Sequence, residues 1–469
     1  VAQATFFYGS IEDMKPDVII LAAGKGTRMY SDRPKVLHKI GGRPMLHHVV
    51  VAARSLKPES IQVVVGYQAE QITSAFESES EISWVQQEQQ LGTGHAVQQA
   101  LPAVRRDGVV LVLFGDVPLV SPTTLSTLLQ STGEAALSVL TLDAANPAGM
   151  GRIIRDAHGA VTAIVEEKDA TAEQKSITEI NTGIMAIRMP FLRDALSALN
   201  NDNAQGEYYL TDIIAIASNS GLAVHTVPAP NEHEVRGINN RLQLSELERI
   251  YQNSCAAELA SAGVTIADLC RLDIRGDVSV GRDCAIDVNV VLEGNVRIGD
   301  NVRVGPNCYI KDSDIGDDNI IEANSHIVGT RTAPGCVIGP FARLREGTEL
   351  GERSKIGNFV ETKKAIIGEG SKVNHLSYLG DATIGRSVNV GAGTITCNYD
   401  GTNKHQTVMK DGVFIGSNSA LIAPVTIGEN ASVAAGSVIT NDVPDTELAV
   451  ARGKQRNIPG WKRPEKKGS

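Results

Sequence analysis

Large aromatic side chains are scarce in this sequence: 8 Phe, 9 Tyr and 2 Trp among 469 residues, 4% in all. With so few rings to fill space, much of the core must be packed with small aliphatic side chains, which favours a thin, repetitive architecture. The six cysteines, at 255, 270, 284, 308, 336 and 397, never form a CxxC pair. That speaks against structural zinc and against a disulfide framework. No apolar run reaches the ~18–20 residues needed to cross a bilayer, so no membrane span is expected. Basic residues are outnumbered, 44 Lys and Arg against 54 Asp and Glu, for a net charge of −10. Nothing global therefore recruits nucleic acid or an anionic membrane. Glu12, Asp13 and Asp17 break up the first apolar stretch, the wrong pattern for a secretory signal. These absences lead to the expectation of a cytoplasmic protein with residues 1–16 as an added N-terminal arm.

Glycine, by contrast, is plentiful at 45 residues, and the grammar of the chain changes partway along. From 17 to about 240, strand-like runs such as Val18–Ala22, Ile61–Val65 and Val109–Phe114 alternate with helical patterns. That alternation predicts βαβ units on a mostly parallel sheet. Residues 241–263 follow, glycine-free until Gly263 and helix-patterned, and read as a helical linker. The stretch 264–469 completes the chain as a second domain and ends in a basic tail, Trp461–Lys467.

In that second domain an aliphatic residue recurs every six positions. One register runs Val280, Ile286, Leu292, Ile298, Val304, Ile310; others include Ile338, Leu344, Leu350, Ile356 and Ile415, Leu421, Ile427, Val433, Ile439. This hexapeptide period marks a parallel β-helix whose coils bury their aliphatic corners against one another. Three hexapeptides per coil and ~4.8 Å between stacked strands predict about eight or nine coils, roughly 40 Å of prism. Small residues are expected where the chain turns tightly, so Cys284, Cys308 and Cys336 read as packing. The period breaks once, at Thr396–Val413; an insertion cannot enter a stacked core and is expected to project as a loop.

Chemistry is concentrated in a few strings. After the first strand comes Leu21-Ala22-Ala23-Gly24-Lys25-Gly26-Thr27-Arg28-Met29, with Pro34-Lys35 following. Its glycines let backbone N–H groups approach a phosphate chain, and Arg28 and Lys35 supply positive charge. The loop is neither a Walker loop nor a GxGxxG fingerprint. By itself Asp116 is open to a bland reading, as a cap on the next helix, and Arg28 as surface charge.

The whole string resembles the signature of nucleoside-triphosphate sugar pyrophosphorylases. Further matches appear in order: Gln87 before Leu91-Gly92-Thr93-Gly94, Phe114-Gly115-Asp116, Gly151-Arg152-Ile153, Glu166, Glu179 to Gly183, Gly206 to Asp212, and Asn239. The resemblance implies a Rossmann-like α/β nucleotidyltransferase domain. UTP and the UDP-sugar would be bound by Leu21, Ala22, Ala23, Gly24, Lys35, Gln87, Gly92, Thr93, Phe114, Gly115, Asp116, Gly151, Glu166, Asn181 and Asn239. It further implies Mg2+ on Asp116 and Asn239, with Arg28 and Lys35 as catalytic cations. Phe114 stands where relatives often carry Tyr.

The prism resembles the hexapeptide-repeat proteins, which implies a left-handed coil. Over 17 to about 465 the chain is similar to the bacterial family of bifunctional N-acetylglucosamine-1-phosphate uridyltransferase/glucosamine-1-phosphate acetyltransferases. The resemblance rests on Gly339 to Arg345, Gly357 to Lys364, His375 to Asp381 and Asn389 to Gly401. Acetylating an amine needs a general base, and histidine suits neutral pH. His375 takes that role, with Glu361 as its expected orienter. Arg345 and Lys363 would clamp the sugar phosphate, and Tyr378 and Asn389 would bind the sugar. Ala392, Asn398, Tyr399, Ser417, Ala435 and Arg452 would contact acetyl-CoA. Arg345 is followed by Glu346, where many relatives have Pro. His38, His47, His48, His95 and His405 read as ordinary histidines, Cys397 as packing near the thioester, and Trp461 with the tail lysines as a solvated terminus.

The resemblance thus implies an enzyme of envelope-precursor synthesis that acetylates glucosamine 1-phosphate and then makes UDP-N-acetylglucosamine, releasing pyrophosphate. It also implies a homotrimer whose acetyl-transfer sites are shared between chains. Two rival readings stay open at this level: a pyrophosphorylase using its prism only for assembly or allostery, and a non-catalytic scaffold.

Overall fold

The computed structural model describes residues 15–464 and 466; of the arm expected at 1–16, all but Lys15 and Pro16 lies outside them. Contacts divide the chain into two units, the first ending at Tyr251 and the second beginning at Gln252. The division falls inside a 21-residue helix, Arg241–Ser261.

The first unit is built on a nine-stranded sheet. Its strands are β1 (Asp17–Leu21), β2 (Ser60–Val65), β3 (Ile82–Gln86), β4 (Val109–Phe114), β5 (Leu137–Asp143), β6 (Arg152–Arg155), β7 (Val161–Val165), β8 (Glu179–Arg188) and β9 (Val224–Pro228). The main order is β9-β5-β8-β4-β1-β2-β3, with β6 and β7 as an antiparallel flap hung from β8. All neighbours on the main path run parallel except β8, which is antiparallel to β4 and β5. The first strand shows why both faces are covered. Val18 and Ile20 enter one apolar cluster, while Ile19 and Leu21 enter another on the opposite face, as the two-residue period of a strand requires. Leu21 pairs with both Phe114 and Val64, and Gln86 pairs with Val65. The loops after β1, β3 and β4 therefore leave the same carboxyl edge, where open α/β sheets bind ligands.

The second unit is a left-handed parallel β-helix. One wall is an eleven-stranded parallel sheet from Thr265 to Ala449. Eleven rungs exceed the eight or nine expected, and ten intervals of ~4.8 Å make about 48 Å of prism. The shortfall has a simple cause. The first rung, at Ile266, precedes the first register, and the last places Ala449 where larger aliphatics stand elsewhere. The corner aliphatics of every register are buried in one continuous core, with Val280 half-buried at its margin. Cys284, Cys308 and Cys336 lie in that core with their sulfurs 3.0 to 3.3 Å from the carbonyl oxygens of Gly299, Glu322 and Gly351. Burial raises all three thiol pKa values, which fits packing and leaves them poor nucleophiles.

The prism's first coil is capped by its own helix segment. Gln252 is fully buried; its amide donates to Ile274 O at 2.9 Å and accepts from Ile274 N at 2.6 Å, behaving as one more strand residue. Ala256 joins the core beside it. Covering the end of a stack in this way blocks edge-to-edge association.

The insertion is narrower than 396–413. Thr396 and Thr407 are buried, and Thr407–Met409 is a strand back in the wall, paired with Ala382–Ile384. What projects is 399–406, pinched by an antiparallel bridge between Tyr399 and Lys404. The corner spacing of 25 residues from Val390 to Ile415, against 17 from Val373 to Val390, accommodates it.

Candidate active sites

In the first unit, a cavity of about 230 Å³ opens at the carboxyl edge of the sheet. It is lined by ten of the expected residues: Leu21, Ala22, Ala23, Gly24, Lys35, Gln87, Gly92, Thr93, Phe114 and Asp116. Gln90 and Glu207, not expected from the sequence, also line it; Gln90 lies between Gln87 and Leu91 and Glu207 within Gly206 to Asp212, so nearness to those segments was the only signal. Gly115 lies behind, its N–H bonded to Leu21 O at 2.9 Å. Gly92 has φ +113°, and a Cβ there would meet the Tyr208 backbone at 2.6 to 2.9 Å, so only glycine fits. Gln87 is buried and braces this turn, donating to Gly92 O at 3.2 Å with His95 Nδ1 3.0 Å away.

Four polar side chains converge beside the cavity. The Lys35 ammonium is ion-paired with Asp116 and lies 3.2 Å from Asn239 Oδ1. Arg28 donates to the same Asn239 oxygen at 2.9 Å. The bland reading of Asp116 as a cap on the next helix therefore fails, whereas Arg28 is an exposed charge that also bonds Asn239. The next helix, Pro122–Thr132, is capped by Ser121, whose Oγ accepts from Thr124 N at 3.1 Å, and Arg28 is tied into the cluster.

Gly151, Glu166 and Asn181 gather apart from that cavity's lining. Asn181 N–H donates to Gly151 O at 2.8 Å, and Thr211 donates to Glu166 Oε1 at 3.1 Å. A bulge in β8 between Asn181 and Met185 breaks the register here, as bulges near active sites do. Burial, reinforced by Asp212 and Asp169, raises the Glu166 pKa against the Thr211 hydrogen bond. Arg152 points inward as scaffold, donating to Glu167 at 2.8 Å and to the Met150 carbonyl.

In the second unit the stacking itself assembles the expected residues. Parallel pairing sets Asn358 against His375. Continued through Lys372–Asn389, Asn389–Phe414 and Phe414–Ser432, the ladder stacks Ala392, Ser417 and Ala435 on successive coils beyond His375. Backbone bonds from Asn418 N to Ala392 O at 2.7 Å and from Gly436 N to Ser417 O at 2.8 Å hold this column. Arg452 ends it, donating to Ala435 O at 2.7 Å. Asn389 lies on the same coil as Ala392, three positions earlier.

Around the Leu376–Ser377 corner, the neighbouring wall carries Tyr378, paired with Glu361, and Lys363, paired with Gly380. The Tyr378 hydroxyl and Asn398 amide lie over Gly380. Asn398 also donates to Asp381, while Tyr399 is exposed on the loop. Lys404, close to Lys363, holds the Lys363 pKa below the ordinary lysine value, and Arg345 adds to the effect. Three cations thus face one another, an arrangement suited to an anion. Lys404 was missed from sequence because a loop brings it there.

Glu361 does not orient His375. It accepts from Arg345 at 2.8 Å and lies 3.7 Å from Arg343, whereas His375 Nδ1 sits 2.6 Å from Asn358 Oδ1. The arginines on its own wall claim the carboxylate. His405, read as ordinary, pairs with Asp400 at 2.6 Å and helps pin the loop. Trp461 is exposed.

Comparison with known proteins follows this division. Residues 18–178 match the MobA-like NTP transferase domain, 274–358 the GMPPB C-terminal domain, and 406–441 the bacterial transferase hexapeptide (six repeats). The chain is 58% identical to the bifunctional protein GlmU of Marinobacter nauticus, covering 96% of this chain and 99% of that one. It is 57% identical to the bifunctional protein GlmU of Cellvibrio japonicus, with the same coverage. The chain belongs to the bifunctional GlmU family. Like that family it is a bifunctional transferase, joining a uridylyltransferase unit to a hexapeptide acetyltransferase unit in UDP-N-acetylglucosamine synthesis. The GlmU relative from Idiomarina loihiensis, 54% identical, also spans 97% of this chain, so both units are shared with the family and the single-activity and scaffold readings fall away.

Proposed function

We propose that the first unit's cavity takes UTP, with the backbone of Leu21 to Gly24 along the phosphates and Gln87, Gly92 and Thr93 at the base. An oxygen of N-acetylglucosamine 1-phosphate attacks the α-phosphorus, the bond to the β-phosphate oxygen breaks, and pyrophosphate leaves. Both reactants are anions, so Arg28 and Lys35 offset their repulsion and steady the departing charge. Gly151, Glu166 and Asn181 receive the sugar. The Asp116 carboxylate and the Asn239 amide oxygen already share one cation, the Lys35 ammonium. They are the hard oxygen donors Mg2+ prefers, and an ion that keeps waters and phosphate oxygens needs only one or two protein ligands. Bound there, Mg2+ supplies positive charge to the phosphoryl oxygens.

On the prism, His375 accepts a proton from the amine of glucosamine 1-phosphate as nitrogen attacks the acetyl-CoA carbonyl. The carbon–sulfur bond breaks, and the proton passes to the leaving sulfur. Arg345, Lys363 and Lys404 hold the sugar phosphate, and Tyr378 and Asn389 the sugar. The column from Ala392 through Ser417 and Ala435 to Arg452 takes acetyl-CoA with Asn398 and Tyr399. The active form is a cytoplasmic homotrimer whose neighbouring prisms complete each acetyl-transfer site. The domains are taken as 17–240, 241–263 and 264–469, with the part of the 241–263 helix from Gln252 onward also closing the first coil of the prism.

The observation that carries the reading is the meeting of Arg28, Lys35, Asp116 and Asn239 from distant segments at one cavity. Its test supplies glucosamine 1-phosphate, acetyl-CoA, UTP and Mg2+ and identifies the nucleotide sugar by mass. UDP-N-acetylglucosamine is expected only when all four are present; its formation without Mg2+ or without acetyl-CoA contradicts the assignment.

A further inference from the structure

The geometry points to Asn358 as the residue that fixes the tautomer of the acetyl-transfer base. The inference rests on the assignment of His375 as that base and adds what makes the correct nitrogen available. Asn358 sits one coil below His375 in parallel register, with Leu376 N–H bonded to Asn358 O at 3.0 Å. The two coils are pressed together at this point. Gly357, the residue before Asn358, leaves no room for a Cβ because the Asn374 backbone packs at 2.7 to 2.8 Å from where one would stand. The side chains are thereby held in line, and Asn358 Oδ1 reaches His375 Nδ1 at 2.6 Å.

An amide oxygen only accepts, so Nδ1 must carry the hydrogen. In the neutral ring the lone pair then resides on Nε2, the nitrogen free to take the amine's proton. An unrestrained histidine favours the opposite tautomer, with hydrogen on Nε2 and no base presented there. A carboxylate would fix the ring equally well and would also stabilise the imidazolium by charge. The uncharged amide sets the tautomer without that added hold, which suits a base that must return its proton to the leaving sulfur within the same turnover. Asn358 is thus a positioning residue, acting through His375 and touching neither substrate.

The test uses the full-length protein carrying Asn358→Leu, which keeps the size and removes the acceptor, and Asn358→Asp, which keeps the acceptor. With Asn358→Leu, kcat for acetyl transfer is expected to fall about tenfold to a hundredfold. KM for glucosamine 1-phosphate and for acetyl-CoA, and uridylyl transfer in the same sample, stay near the parent values. Asn358→Asp retains the greater part of kcat. In the nitrogen spectrum of histidine-labelled protein, the His375 resonance, identified by its loss in His375→Ala, moves from the Nδ1–H toward the Nε2–H tautomer only in Asn358→Leu. An unchanged tautomer, or a change confined to KM, overturns the role given to Asn358. Acetyl transfer surviving in His375→Ala overturns instead the base assignment beneath it.

Discussion

At the scale of single residues, the cavity in the first unit depends on positions where no alternative side chain fits. Gly92→Ala places a Cβ against the Tyr208 backbone at a φ that alanine resists, costing about 1–3 kcal/mol of stability. Thermal melting should show that loss, with uridylyl transfer reduced at least tenfold and acetyl transfer preserved. Glu166 gives a pH-dependent test. Burial raises its pKa, so the folded chain holds this proton to higher pH than the unfolded chain does. Its contribution to stability is present below the ordinary carboxylate range and is lost as pH rises through the raised value. Glu166→Gln should therefore melt higher than the parent at pH 7 to 8, with the gain shrinking toward pH 4, while KM for N-acetylglucosamine 1-phosphate rises. Lys35, Asp116 and Asn239 were legible in the sequence because their strings are distinctive. Asn358 was not, because its partner is set by a coil-to-coil offset that becomes visible only once the registers are stacked.

Among the elements, the strands announce themselves and the loops do not. Each corner of the prism must bury one aliphatic side chain, so the six-residue period could be read directly. The count of coils fell short where a corner carries Ala449 or precedes the first clear register, since there the period alone gives no signal. The insertion was legible as a break, but only burial shows that Thr407 and Met409 rejoin the wall. Its projecting part, 399–406, is held by Asp400, which accepts from Thr402 N, Asn403 N and His405. Those bonds hold the carboxyl far below the usual carboxylate range. The loop delivers Lys404 to Lys363 and Arg345. Lys404→Ala should raise the Lys363 pKa back toward the ordinary lysine value, read by the titration of its ε-carbon in a labelled sample. It should also raise KM for glucosamine 1-phosphate about tenfold, the order expected for one charge-assisted contact, with kcat and uridylyl transfer little changed.

For the whole molecule, the chemistry divides as the contacts do. The first unit packs a three-layer core around its sheet, and the second a one-dimensional stack whose coils touch only their neighbours. A column and a row on adjacent prism walls bring together the residues proposed for acetyl transfer. Sedimentation equilibrium should give about 150 kDa, three times the 49.8 kDa chain, and an active species at 50 kDa would contradict the shared sites. The central claim is that two independent centres, one gathering anions around Asp116 and one built on an imidazole, work within a single polypeptide. Its most direct measurement assays coenzyme A release and pyrophosphate release side by side in Asp116→Ala and His375→Ala. Asp116→Ala should lose pyrophosphate release and keep acetyl transfer, and His375→Ala should do the reverse; loss of both activities in either folded, correctly assembled variant would contradict the account.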